Sequence, residues 1–412
     1  MLSRRQVFTI GAGLIASTSL GGIPAALARA PTERRFVLVI LRGALDGLAA
    51  VPPYTDRDYR ALRGPLALPD PGAEDGLLDL NGRFGLHPAL QPLHAMYKAG
   101  EMSVVHAVAT PYRSRSHFDG QDLLESGGDT PHAASDGWLN RALAVLSPPA
   151  PHPRLGLAVG QTVPLVLRGA TPVSSWAPSN MPAVDADFLD RLAMLYARDG
   201  VLGPALSEGL RAQALSDEVL SDSRGNRGRM NGDKMYGRGA RPILALRPAA
   251  TAVGKLLAAA DGPRVAVLEM LGWDTHAGQG AVTGRLAGVM KGLAEGLEGL
   301  KESLGPVWKE TAVAVVTEFG RTVAVNGTNG TDHGTGTVAF LIGGAVEGGR
   351  VLGKWPGLSQ LYENRDLVPT TDLRSVMKGM LVDHLGLPRD AVERVVFPQS
   401  AAIPQLRDSV RV

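Results

Sequence analysis

Five short runs of consecutive apolar residues, none with a helical period, constrain this chain more than any other feature. They are "RRFVLVIL" (34–41), "MSVVHAVA" (102–109), "PRVAVLEML" (263–271), "TAVAVVT" (311–317) and "TVAFLIG" (337–343). Successive side chains of a strand point to opposite faces, so a strand apolar at every position must be covered on both. Each run therefore predicts a buried strand. Between them stand helical candidates: "HPALQPLHAMYKAG", "HFDGQDLLESG", "RPAATAVGKLLAAAD", "AVTGRLAGVMKGLAEGLEGLKESLG" and "DLRSVMKGMLVDHLG". This alternation predicts an α/β protein, a three-layer α/β/α sandwich around a mostly parallel sheet.

At 412 residues the chain can bury a large core in one large domain or two moderate ones. We expect a single domain over 29–412, interrupted at about 207–241 by a stretch that includes "SDSRGNRGRMNGDKMYGRGAR". That stretch has almost no branched apolar residues and cannot supply core, so it reads as an insertion or lid. The 42 Lys and Arg balance 40 Asp and Glu, which gives no field suited to nucleic acid. There is no Cys, so disulfides and thiolate zinc sites are excluded and any metal must rest on His and carboxylate.

The first 28 residues read as an export signal. Arg4-Arg5 follow Ser3, then comes the uncharged run "TIGAGLIASTSLGGIPAALA", which closes on the small-residue site Ala26 to Ala28. The Arg pair resembles the twin-arginine signal, with Val7-Phe8 in place of the usual Phe-Leu. The expectation is a folded protein passed through the twin-arginine translocase to the periplasm, not integral to the membrane after cleavage. "GAGLIAS" lies inside this signal and is not a dinucleotide fingerprint.

In α/β sheets ligands bind beyond the carboxyl ends of the strands. Those ends are acidic and rich in imidazole: Asp46 after the first run, "TPYRSRSHFDGQD" after the second, Asp274 and His276 in "GWDTHAGQ" after the third, Glu318 and Arg321 in "TEFGRT" after the fourth. "NGTNGTDHGTG" (326–336) places Asp332 and His333 just before the fifth. Any one of these is an ordinary turn or cap residue. Several carboxylates converging on one edge would repel each other unless a cation lay among them, so the set predicts a site for one or two divalent metal ions: Zn, Mn, Mg or Ca.

The motifs "LRGALDGLAAVPPY", "SHFDGQD", "DGWLNRAL", "GWDTHAGQ", "TEFGRT" and "GTDHGTG" resemble the exported family catalogued as domain of unknown function 1501. The strand-end pattern also resembles the alkaline phosphatase superfamily of phosphatases, sulfatases and phosphopentomutase. That second resemblance implies an alkaline phosphatase-like fold and these roles. Asp46 is a metal carboxylate, Asp274 and His276 bind one metal, and Arg321 clamps a substrate oxygen. Ser116, or Ser114 in its place, is a nucleophile at a helix start, where backbone N–H groups favour an anion. Ser116 reads equally well as a plain N-cap, completed by Asp119.

The last motif aligns with the superfamily in two ways. In one, Glu318 and Phe319 replace an Asp-His pair and His333 is the final metal ligand, with Asp332 beside it as a further ligand or as the group that orients its ring. In the other, Asp332-His333 is itself the Asp-His pair. Thr370 stands where many members have a His. The first alignment leaves the position of Asp46, Glu318 and Ser116 without an imidazole. His117 is near enough in sequence to compensate, although a His beside a helix start ordinarily caps or packs.

Two functions follow. One is a metal-dependent hydrolase or phospho-group transferase acting on an anionic ester, phosphate ahead of sulfate. The other is a non-catalytic, metal-stabilised periplasmic protein that binds an anionic small molecule or an envelope glycan.

Overall fold

A computed structural model describes residues 32–146, 155–160, 162–177, 186–196, 199, 202, 203, 206, 207, 209, 210, 218–220 and 246–411. The twin-arginine signal over 1–28 and most of the Gly/Arg-rich stretch at 207–241 lie outside these residues. Each of the five apolar runs is a strand: β1 (Arg35–Arg42), β4 (Met102–Ala109), β7 (Val265–Leu271), β8 (Thr311–Thr317) and β9 (Thr337–Ile342). A small hairpin, β2 (Leu78–Asp79) with β3 (Gly85–Leu86), stands apart from the main sheet. Four short strands extend that sheet: β5 (Gly156–Val159), β6 (Ser174–Trp176), β10 (Arg350–Leu352) and β11 (Thr371–Asp372).

Among the described residues the strand order is β10-β4-β9-β8-β1-β7-β5-β6, with β11 also against β4. All neighbouring pairs are parallel except the two made by β9, which runs against β4 and β8. Because β9 is reversed, its first residues sit at the same edge as the last residues of β8. The loop 326–336 is therefore brought to the carboxyl edge with the other strand ends.

The alternation within β1 shows why the sheet needs two covering layers. Val37, Val39 and Leu41 join one apolar core with helices α1 (Gln91–Lys98), α4 (Leu246–Ala258) and α5 (Arg285–Leu304). Phe36, Leu38 and Ile40 join the opposite core with α3 (Trp138–Leu146) and α6 (Leu373–Gly379). Another helix, α2 (His117–Ser126), follows β4 and starts at the carboxyl edge. The architecture is thus a three-layer α/β/α sandwich with a mostly parallel sheet. Among the described residues no helix is long and apolar enough to cross a membrane.

Candidate metal centre

The strand ends bring one tight cluster together. Its centre is Asp274, three residues past β7 and half-exposed. His276 Nε2 lies 3.0 Å from Asp274 Oδ1, His333 Nε2 lies 3.3 Å from the same oxygen, and the two Nε2 atoms are 2.9 Å apart. From the other side His117 Nε2 lies 3.6 Å from Asp274 Oδ2. Donor atoms of His117, Asp274 and His333 all fall within 4.8 Å of one another.

What makes this a candidate metal centre is the far side of each ring. His117 Nδ1 faces the buried Glu318 Oε1 at 2.8 Å, His276 Nδ1 faces Asp332 Oδ1 at 3.0 Å, and His333 Nδ1 faces the Arg115 carbonyl at 2.9 Å. All three partners are acceptors, so each Nδ1 carries a proton and Nε2 is the nitrogen each ring turns toward Asp274. Donor atoms of His117, Asp274 and His333 lie close enough together for one ion to bridge them, and His276 Nε2 adjoins Asp274 and His333. A tetrahedral zinc with bonds near 2.0–2.1 Å would space its ligands about 3.3 Å apart, close to the 2.9–3.3 Å among Asp274 Oδ1, His276 and His333, while His117 approaches the other oxygen of Asp274 at 3.6 Å. His117 Nε2 is buried and has no hydrogen-bond partner, which also fits an ion site. Imidazole and carboxylate donors suit Zn or Mn better than Mg or Ca.

The charge distribution agrees. Asp274 first and Glu318 second hold the His117 pKa up at about 9. Partial burial works against ionising Asp274, but the nearby His117, His333 and Arg321 override it and keep the carboxyl far below its usual range. Burial opposes charge on Glu318 as well. Bonds from His117, Gln121 and the Gly43 N–H again leave it ionised, with its pKa lowered. Asp332 is lowered by Asn326 first and His276 second.

Two close approaches fix the backbone around the cluster. Gly43, at φ +117, donates to Glu318 and lies so near Asp274 that a Cβ there would meet its N at 2.7 Å. Only glycine takes this conformation without strain. Gly330 likewise lets the loop 326–332 lie flat on His276, since a Cβ there would meet the His276 carbonyl at 2.3 Å. The loop is stitched down by Asn326 Nδ2 to the His276 carbonyl and by the Gly278 and Gln279 N–H groups to Thr328 and Asn329.

Of the residues singled out by sequence, Asp274, His276 and His333 meet in the cluster with their donor atoms. Glu318 and Asp332 instead face the outer nitrogens of His117 and His276. Asp46 is elsewhere: 1% exposed, it pairs with the fully buried Arg63 at 2.5 Å and accepts from Gln279 Nε2 at 2.7 Å and the Ala49 N–H at 3.1 Å. Arg321 is committed to Asp274 at 2.7 Å and to Thr331, so its fork is filled by protein oxygens. Phe319 is a buried wall stacked on His117 at 5.0 Å. Thr370 donates to the Lys354 carbonyl.

Ser116 is the N-cap of α2, yet its side chain makes no capping bond. The capping box does not form, because Asp119 is taken by Tyr112 and His132. The residue that sequence reasoning underweighted is His117. Its pairing with Glu318, the first residue after β8, joins residues 201 positions apart and left no local signal in the sequence.

A histidine-carboxylate cluster at the carboxyl edge of a mostly parallel α/β/α sheet defines a candidate metalloprotein of the layered α/β class. The sequence profile of the family described as "Protein of unknown function (DUF1501)" matches residues 94–395, and the chain belongs to that family. Comparison with curated proteins finds no match. Among solved structures, similar folds include Ps i-CgsB in complex with a neocarrahexaose (10% identity, 91% of this chain and 77% of that one, TM-score 0.38). The periplasmic domain of EcEptC from Escherichia coli in complex with Zn is similar at 11% identity, 96% of each chain and a TM-score of 0.35. The phosphonate monoester hydrolase of Agrobacterium radiobacter is similar at 12% identity, 86% of this chain and 74% of that one, with a TM-score of 0.34.

Proposed function

We propose that the chain is an exported, metal-dependent hydrolase or phospho-group transferase acting on an anionic ester. The observation that carries the reading is the set of three imidazoles, each fixed at Nδ1 by an acceptor and each turning Nε2 toward Asp274. His117, Asp274, His276 and His333 would hold the ion. A divalent ion there supplies positive charge that lowers the pKa of a nearby hydroxyl and stabilises negative charge on ester oxygens.

Ser116 is the nucleophile in this reading. It directly precedes the ligand His117, and its side chain makes no capping bond and lies against Tyr112. Its Oγ bonds to phosphorus or sulfur, the ester alcohol leaves with a proton, and water or a second alcohol then releases the acid group from Ser116. The first-turn N–H groups of α2 face the incoming anion. Export through the twin-arginine pathway to the periplasm, argued from Arg4 and Arg5, completes the reading.

One observation favours the non-catalytic reading, a metal-stabilised binding protein for an anionic small molecule or glycan. Arg63 already neutralises Asp46, so a second ion has no free carboxylate there. Elemental analysis of the mature protein, followed by assays with p-nitrophenyl phosphate and p-nitrophenyl sulfate, tests both readings. The hydrolase reading expects bound metal and turnover that Ser116→Ala abolishes. Bound metal without turnover selects the binding protein, and a folded protein that takes up no metal removes both.

A further inference from the structure

The segment 361–366 belongs to none of the motifs that pointed to the site, yet it grips one of the ligands from two directions. Asp366 is fully buried; its Oδ2 accepts from Arg115 Nε at 2.8 Å and lies 2.8 Å from Arg115 Nη2. Its Oδ1 accepts from Arg365 Nε at 3.0 Å. Both arginines end on His333: the Arg115 carbonyl accepts from Nδ1 of the ring at 2.9 Å, and Arg365 Nη2 donates to the His333 carbonyl at 2.6 Å. One carboxylate thus organises the partner of the ring and the partner of the backbone of the same residue.

The backbone at Arg115 shows that this arrangement is held in place. Arg115 sits at φ +61, a left-handed conformation that a residue with a side chain adopts only where its surroundings enforce it. That conformation aims its carbonyl at His333 while the side chain reaches back to Asp366. The loop carrying Asp366 is itself tightly closed: Glu363 and Asn364 have φ +50 and +56, and Tyr362 and Asp366 exchange backbone hydrogen bonds at 2.8 and 3.0 Å. It is tied to the segment after β8 by the Val323 N–H donating to the Arg365 carbonyl at 3.0 Å.

We propose that Asp366 is a positioning residue for the metal ligand His333, acting through Arg115 and Arg365 to keep Nε2 aimed at Asp274 and His276. This rests on the metal-centre reading above. A carboxylate present only to neutralise buried charge would need one arginine and no shared target. Groups that hold a metal-ligating imidazole by its far nitrogen commonly govern affinity as strongly as some ligands do.

The test is the Zn2+ dissociation constant of the parent, Asp366→Asn and Arg365→Met, measured by competition with a chromophoric chelator, with melting curves in EDTA as the folding control. Asp366→Asn keeps the shape and removes the charge, and is expected to weaken Zn2+ binding about 10- to 100-fold and to alter the absorption bands of the Co2+-loaded protein. Arg365→Met removes the backbone grip and one of the two arginine partners of Asp366, leaves Arg115 and its hold on the ring in place, and is expected to cost less. Parental affinity in folded Asp366→Asn, even with a lower melting point in EDTA, assigns a structural role only and overturns the proposal. If Asp366→Asn does not fold, Arg365→Met decides: weaker Zn2+ binding supports the proposal and parental affinity overturns it. A parent that binds no Zn2+ removes the metal centre and this inference together, whereas a parent that binds while the variants match it removes this inference alone.

Discussion

Asp46 and Asp274 occupy equivalent places, each just past a central parallel strand, yet their surroundings are opposite. Around Asp46 every neighbour is a donor: Arg63, Gln279 and the Ala49 N–H fill its oxygens, and the side chain is sealed from solvent. Around Asp274 the guanidinium of Arg321 meets three imidazole rings that each turn Nε2 toward the carboxylate. A carboxylate whose acceptor sites are satisfied by the protein is part of the architecture. One faced by three imidazole Nε2 atoms can share a cation with them. The two are physically joined, since Gln279 Oε1 accepts from Thr331 Oγ1 at 2.8 Å and Thr331 Oγ1 accepts from Arg321 Nε at 3.2 Å. The buried pair is thereby a rigid footing for the open one.

The largest expected effect separates the two outright. Asp274→Ala should abolish stoichiometric metal binding, because it removes the one donor shared by all three rings, whereas folded Asp46→Ala should retain the ion. Elemental analysis of both variants reads this directly. Loss of metal from folded Asp46→Ala would mean that the comparison is drawn at the wrong residue.

The second effect is on stability. Removing Asp46 leaves Arg63 buried and uncompensated, a change that costs about 3–5 kcal/mol, and the loss in a urea titration should be equal with and without chelator. His333→Ala should behave in the reverse manner, lowering the melting temperature only when metal is present, since a bound ion stabilises the folded state by mass action. A chelator-independent loss in His333→Ala would return that residue to the role of a capped turn.

This contrast also marks how far the sequence could be read. The five central strands were legible because their apolar runs leave no alternative to burial on both faces, and Asp274, His276 and His333 were legible because they follow or precede those runs. The short strands β5, β6, β10 and β11 were not, because two to four residues carry too little pattern. The fate of Asp46 was hidden for another reason. Its partner Arg63 closes a short helix, Tyr59–Arg63, and nothing local to either residue says that they meet. His117 was discounted as a cap because the carboxylate that orients it, Glu318, is 201 positions away.

A third, smaller effect compares the groups behind the rings. Glu318 is buried and accepts from Gly43, Gln121, Thr317 and His117, so it holds its imidazole rigidly. Asp332 is half-exposed and shares His276 with solvent. Glu318→Gln should weaken Zn2+ binding roughly 10- to 100-fold, about 1.4–2.7 kcal/mol, and Asp332→Asn less. Equal losses in a chelator competition would show that burial of the orienting carboxylate does not matter here.

The smallest effect turns on imidazoles of the opposite kind. His106, within β4, has both ring nitrogens satisfied by backbone: Nε2 donates to the Val51 carbonyl at 2.9 Å, and Nδ1 accepts from the Ala107 N–H at 2.9 Å. That N–H is free because β4 bulges at Ala107, which sits at φ +53. Such a ring has no lone pair left for a metal and no room for a second proton. Burial accordingly lowers its pKa from 6.5 to about 4. In the unfolded chain His106 would titrate near 6.5, so between pH 6.5 and 4 the unfolded state takes up a proton that the folded state refuses. The contribution of the neutral ring is fully present above that window and lost as pH falls through it, by roughly 1 kcal/mol between pH 6.5 and 5.5. Urea titrations in EDTA at pH 7 and 5.5 should therefore show a loss in the parent that exceeds the loss in His106→Gln by about that amount. Equal losses would mean that His106 takes up its proton in the folded state, and that the line between core and metal-centre imidazoles is not drawn by their hydrogen bonds.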